Sequence, residues 1–127
     1  MIHGIGVDIV QMARIRDALE RYGERFVNRI YCPAEVEMCN AAEGDGRIVR
    51  YAVRFAAKEA AFKAFRDDLG DKLSWHDFEV KPDNMGEPML ALSGRAAEVC
   101  KTLGIRRIHL SLSHTNVSAS AIVVAEK

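Results

Sequence analysis

The chain has 127 residues, its 18 Lys and Arg are balanced by 18 Asp and Glu, and 49% of it is hydrophobic. That is the makeup of one globular domain, residues 1–127, and a neutral balance does not suit bulk nucleic-acid binding. Cys32, Cys39 and Cys100 show no C-x-x-C spacing, so neither a disulfide framework nor a zinc site is indicated, and no apolar run approaches the roughly 20 residues of a membrane span.

Met1 leads straight into a strand pattern rather than a basic and then apolar leader, so a reduced, cytoplasmic protein is expected. Ile2 to Ile9 alternate as a strand, with Ile5, Val7 and Ile9 on one face and Gly4, Gly6 and Asp8 on the other. Two glycines beside an acid leave bare backbone, either for close packing or for close approach of a ligand. Helical runs follow over Met12–Tyr22 and Glu24–Ile30, with Gly23 between them. Arg14, Arg16, Arg21, Arg25 and Arg29 crowd this region against only Asp17, Glu20 and Glu24, a local basic patch suited to an acidic partner.

Pro33 suits the first turn of a helix running to about Ala42, and Glu43–Gly46 reads as a turn. A long helix is expected from Arg47 to Phe65, where Ala, Lys, Glu and Phe recur without Gly or Pro. Val49, Val53, Ala56, Ala57, Ala60, Ala61 and Ala64 share one face, small enough to let the axis come close to its packing partner. Arg47, Arg50, Arg54 and Lys58 form a second stripe, and Glu59, Lys63 and Arg66 a third. Glu59 is the only acid between Arg47 and Arg66. One carboxylate among cations suits a divalent metal with a polyphosphate, and equally a solvated face carrying an i,i+4 Glu–Lys pair.

Asp67–Ser74 reads as a polar loop, Asp77–Lys81 as a strand, Pro82–Pro88 as a turn and Met89–Leu92 as the return strand. Ser93 is placed to cap a helix from Gly94 to Leu103, ended by Gly104. Ile108, Leu110 and Leu112 alternate with His109, Ser111 and Ser113, and after a break at His114–Asn116 a small, β-branched strand covers Val117–Ala125. The order predicts an α+β domain: a largely antiparallel sheet with one long packed helix.

Three segments then stand in order: Gly4-Ile5-Gly6-Val7-Asp8-Ile9, Arg54-Phe55-Ala56-Ala57-Lys58-Glu59-Ala60, and Leu112-Ser113-His114-Thr115. Together with the Gly86-Glu87-Pro88 turn they closely resemble the bacterial holo-acyl-carrier-protein synthases, the small class of 4′-phosphopantetheinyl transferases. The resemblance implies transfer of the phosphopantetheine arm of coenzyme A to a serine of apo acyl carrier protein, in fatty acid biosynthesis, with release of 3′,5′-ADP. It implies Mg²⁺ on Asp8 and Glu59, Lys63 neutralising the pyrophosphate, and Glu59 helping to deprotonate the serine. It implies coenzyme A contacts from Arg54, Lys58, Gly86, Pro88, Ser113, His114 and Thr115, and homotrimers with sites shared between subunits.

Arg14, Arg21 and Arg25, with Phe26 beside them, fit a docking face for the acidic helix of a carrier protein. The strands Ile108–Leu112 and Val117–Ala125 suit either an inter-subunit core or an internal one. His3, His76 and His109 read as structural or exposed. Two competing readings use the same residues: a metal-dependent hydrolase of nucleotide pyrophosphates, and a non-catalytic coenzyme A-binding subunit.

Overall fold

The structure is a computed structural model, and it describes residues 1–72 and 74–127. Strand β1 (Ile2–Gln11) runs directly into α1 (Met12–Tyr22), and Gly23 turns the chain into α2 (Glu24–Ile30). Helix α3 (Pro33–Asn40) precedes the 21-residue α4 (Gly44–Ala64), which is followed by a single turn, α5 (Arg66–Leu69). A hairpin of β2 (Phe78–Pro82) and β3 (Pro88–Leu92), then α6 (Gly94–Leu103), β4 (Arg107–His114) and β5 (Ser118–Glu126) complete the order. All strand pairs are antiparallel, in a three-stranded sheet ordered β1-β5-β4 and the separate β2-β3 ribbon.

Helix α4 lies across the three-stranded sheet, and its alanines make the contact. Ala56, Ala57, Ala60, Ala61 and Ala64 are buried against the inward residues Ala119, Ala121, Val123 and Ala125 of β5. On β1 the inward positions are Gly4, Gly6 and Asp8. A Cβ built on Gly4 would fall far inside contact distance of the Ala64 carbonyl oxygen, and one on Gly6 would overlap that of Ala60. The glycines therefore serve close packing, and Asp8 follows at the edge of the same seam.

The opposite face of β1 is bare. Ile5, Val7 and Ile9 are 56%, 60% and 68% exposed, and Ile122, the register partner of Val7, is exposed beside them. Of the two cores expected for the last strands, the internal one is built: Ile108, Leu110 and Leu112 pack on the core with the inward side of β5.

Helix α4 starts three residues earlier than the sequence pattern indicates, because Gly44-Asp45-Gly46 is its first turn rather than the end of a loop. Glycines depress helix propensity, but the carboxylate of Asp45 suits the positive end of the helix dipole. The loop expected over Asp67–Ser74 contains α5, whose Leu69 is buried, and a 3₁₀ turn at Gly70–Lys72; Leu73 lies outside the described residues. One apolar anchor among polar residues was too little pattern to mark a helical turn. The cap expected from Ser93 comes from Asp77 instead, whose carboxylate accepts the Ala96 N–H at 3.3 Å.

On the far side of α4, the cation stripe is split by a buried ion pair. Lys58 and Glu35 of α3 are fully buried, 2.7 Å apart. The Lys58 ammonium also donates to the carbonyls of Trp75, at 3.0 Å, and Phe78, while the Glu35 carboxylate accepts the N–H groups of Cys32 and Val80. Three donors meet three acceptors, which is how a buried charge is tolerated.

The seam makes a direct prediction. Gly6→Ala forces β1 off α4 and should cost about 3 kcal/mol or more, the upper range of overpacking. Gly46→Ala meets only ordinary contact with Ala42 inside the helix and should instead gain about 0.5–1 kcal/mol. Chemical denaturation of the two variants measures both.

Candidate active site

The seam between β1 and α4 delivers three of the expected functional groups to one place. Asp8 leaves β1 on the side facing α4, and Glu59 and Lys63 stand one helical turn apart on α4. Lys63 Nζ bonds the Asp8 carboxylate at 3.1 Å and the Val7 carbonyl at 2.9 Å. Lys63 thus pairs with Asp8 rather than with Glu59, its i,i+4 neighbour on the helix. Glu59 has no ion pair within 4.0 Å among the described residues.

Burial pushes the Glu59 carboxyl above its ordinary value, and the nearby Asp8 carboxylate pushes it further the same way. Arg14 and Lys63 pull it back in part. Two carboxylates that repel one another beside an ammonium, at a half-buried edge, are a set of hard oxygen donors that a divalent cation would relieve. Asp8 and Glu59 fit that role. No group of three or more metal-ligating side chains occurs among the described residues, so a cation held here would take the rest of its shell from substrate and water.

A groove of about 580 Å³ opens from Glu59 between α1, α2 and α4. Its floor is apolar, with Ile15, Phe26, Phe55 and Trp75, and Arg14, Arg25 and Arg29 stand at its rim. Arg14 also lies over the Phe55 ring, 5.4 Å from its centroid. The expected docking residues Arg14, Arg25 and Phe26 therefore share one groove with Glu59. Arg21 does not line it; its side chain turns back along α1 to Asp17, 3.2 Å away.

The remaining candidates lie elsewhere. Lys58, expected to hold a coenzyme phosphate, is withdrawn from any ligand because its ammonium is fully buried and saturated by Glu35, Trp75 and Phe78. Arg54 donates to the Arg50 carbonyl at 3.1 Å, and its charge lies close enough to act on the buried Tyr31 and Cys39. His114 and Thr115 border a second, smaller cavity with Met12, Arg16, Asp45, Ile48, Val49 and Asn116, which shares no residue with the groove at Glu59. Ser113 is the penultimate residue of β4, and Gly86 and Pro88 sit at the exposed tip of the β2-β3 hairpin; none of the three lines either cavity.

Sequence reading missed Trp75, Phe55 and Arg29 as parts of the groove. Phe55 was legible, since it stands one turn before Glu59 on the same helix. Arg29 belongs to the basic run already noted on the first helices. Trp75 and the Glu35–Lys58 pair carried no local signal, because their partners are brought by tertiary contacts.

A family profile described as the 4′-phosphopantetheinyl transferase superfamily matches residues 4–120. A holo-[acyl-carrier-protein] synthase of Koribacter versatilis is 46% identical over 126 residues, covering 99% of both chains. The crystal structure of such a synthase from Neisseria meningitidis superposes with a TM-score of 0.86 at 34% identity, over 100% of both chains. That of a Bacillus anthracis synthase, in complex with CoA (3′,5′-ADP), gives 0.80 at 36% identity, over 99% of this chain and 97% of that one.

The raised Glu59 carboxyl has a consequence for stability. Because the folded state disfavours the ionised form, Glu59 weakens the fold as pH rises from the ordinary carboxylate range through its folded value. Glu59→Gln should therefore raise the urea midpoint of the metal-free protein at neutral pH, and the gain should vanish below about pH 4, where both forms are uncharged.

Proposed function

Because the chain belongs to the 4′-phosphopantetheinyl transferase superfamily, we propose that it transfers 4′-phosphopantetheine from coenzyme A to a serine hydroxyl of apo acyl carrier protein. The observation that carries this reading to particular residues is the meeting of Asp8, Glu59 and Lys63 at the mouth of a basic-rimmed, apolar groove. The serine oxygen attacks the phosphorus bearing the pantetheine arm, and the bond from that phosphorus to the bridging oxygen breaks. 3′,5′-ADP leaves with the electron pair.

Lys63, held beside Asp8, neutralises the pyrophosphate as charge moves onto the leaving oxygen in this reading. Glu59, unpaired and with a raised affinity for protons, accepts the proton of the serine hydroxyl. Asp8 and Glu59 would hold Mg²⁺, which when bound supplies further neutralisation of the pyrophosphate. Arg14 and Arg25 attract the acidic helix of the carrier, and Phe26 gives it an apolar foothold.

Coenzyme A then needs contacts that one subunit does not bring to Glu59. His114 and Thr115 border a separate cavity, and the apolar row Ile5, Val7 and Ile9 lies uncovered. Both fit a homotrimer in which the Ser113-His114-Thr115 turn and the Gly86–Pro88 tip serve the Glu59 of an adjacent copy. Arg54 belongs to the same proposed coenzyme set. The whole of residues 1–127 acts as one domain in this reading, in the cytoplasm; no helix of the described residues is long and apolar enough to cross a membrane.

Mass spectrometry tests the reaction directly. Apo acyl carrier protein incubated with this protein, coenzyme A and Mg²⁺ should gain one phosphopantetheine, and Asp8→Ala should lower the rate at least about a hundredfold. Release of 3′,5′-ADP without carrier modification would point to hydrolysis and overturn the assignment. Sharing is tested by subunit exchange: inactive Glu59→Ala and His114→Ala proteins should recover activity when mixed, from sites holding two intact halves. Proven exchange with no recovery would defeat the shared site.

A further inference from the structure

One short turn, Trp75–Asp77, brings Trp75 to the groove that Glu59 also lines, and that turn is pinned from four sides. From α4, the Lys58 ammonium holds the Trp75 carbonyl, at 3.0 Å, and that of Phe78. From the N-terminal end of α6, the Asp77 side chain accepts Ala96 N–H and its carbonyl accepts Ser93 N–H. From the start of α3, the Cys32 thiol donates to the His76 carbonyl at 3.5 Å. The fourth pin runs to the docking helices: His76 Nε2 meets the carbonyl of Asn28 at 2.8 Å.

That last contact is informative because of where it falls. Asn28 is two residues from the end of α2, so its carbonyl is among the last four, which have no partner inside the helix. Supplying a ring N–H there completes the helix end and ties it to the Trp75 turn. Arg25, Phe26 and Arg29, which face the groove, lie on this same two-turn helix. The Trp75 ring, on the other side of the tie, stacks on Phe55 at 5.4 Å and meets Phe62 at 4.5 Å, so it is seated on the catalytic helix. His76 is thus the direct hydrogen-bonded link between the helix that would receive the carrier and the aromatic wall beside Glu59.

We propose that His76 is a positioning residue for the transfer reaction, holding α2 and the Trp75 wall at the spacing that admits the carrier segment to Glu59. The inference rests on the transferase reading above and adds to it a residue that touches neither substrate nor metal ligand. It acts on the carrier side of the site. Coenzyme binding uses Lys63, Arg54 and the proposed turn of an adjacent copy in this reading, and the His76 ring bonds none of them.

His76→Ala should raise KM for apo carrier protein roughly three- to tenfold, the range expected for one lost hydrogen bond to a helix end. KM for coenzyme A should stay within twofold of the parent, and His76→Gln, whose amide N–H reaches the place of Nε2, should restore the carrier KM. Trp75 is the only tryptophan in the chain, so its fluorescence reports the wall without any turnover. Acrylamide should quench Trp75 more strongly in His76→Ala than in the parent or His76→Gln. Trp75→Ala, which leaves the tie intact and removes the wall, should raise the carrier KM in the same way. Unchanged carrier KM and quenching in His76→Ala, an equal rise in both KM values, or an unchanged carrier KM in Trp75→Ala would each overturn the proposal. Failure of the parent protein to modify the carrier would instead refute the transferase reading, so the two failures are separable.

Discussion

Everything at the site depends on how closely β1 can approach α4. A side chain at Gly4 or Gly6 would meet the helix's own carbonyl oxygens, so the strand passes the helix backbone to backbone. That spacing carries Asp8 within reach of Lys63 and close enough to Glu59 for the two carboxylates to feel each other's charge. With ordinary side chains in the seam, neighbouring layers would stand about 10 Å apart and the three groups would not meet. The alanines of α4 complete the arrangement from the other side, since each is small enough to disappear into the contact.

The cations of α4 divide their work by how much water they keep. Lys63 is partly exposed and shares its charge with Asp8, so it remains free to meet an incoming anion. Lys58, five residues earlier, is fully buried and bound to Glu35 and two carbonyls. Replacing water around a buried ammonium takes a full set of acceptors, and that set comes from α3, from the Trp75 turn and from the first residue of β2. The result is a clamp that holds those segments onto the back of α4. Neighbouring residues in one motif, Lys58 and Glu59, thus face opposite environments and do different things.

The groove and the bare sheet face show the same chain divided between two surfaces. The groove joins arginines to an aromatic floor, a combination that attracts an acidic partner at long range and then buries an apolar side chain. The exposed isoleucines and valine of β1 carry no charge and form a row along one strand. A row of that kind suits a second copy of the chain better than a charged substrate. The proposed carrier and subunit contacts would therefore use different surfaces, the groove beside α4 and the outer face of β1.

Much of this is legible in the sequence. Strand and helix periods marked nearly every element, because burial on one face writes a period of two or 3.6 into the residues themselves. The chemistry was legible too: an isolated Glu among cations, an Asp after two glycines and a Ser-His-Thr turn are unusual enough in order to point to one family. Periodicity did not show that the glycine face of β1 turns inward while Ile5, Val7 and Ile9 face out, since alternation has no sign. Nor did it separate Lys58 from Lys63, or find Glu35, Trp75 and His76. Their roles depend on partners distant in the chain, such as Trp75 for Lys58, 17 residues away, and Asn28 for His76, 48 residues away. Local pattern decides which residues share a face; only the packed fold decides what that face meets.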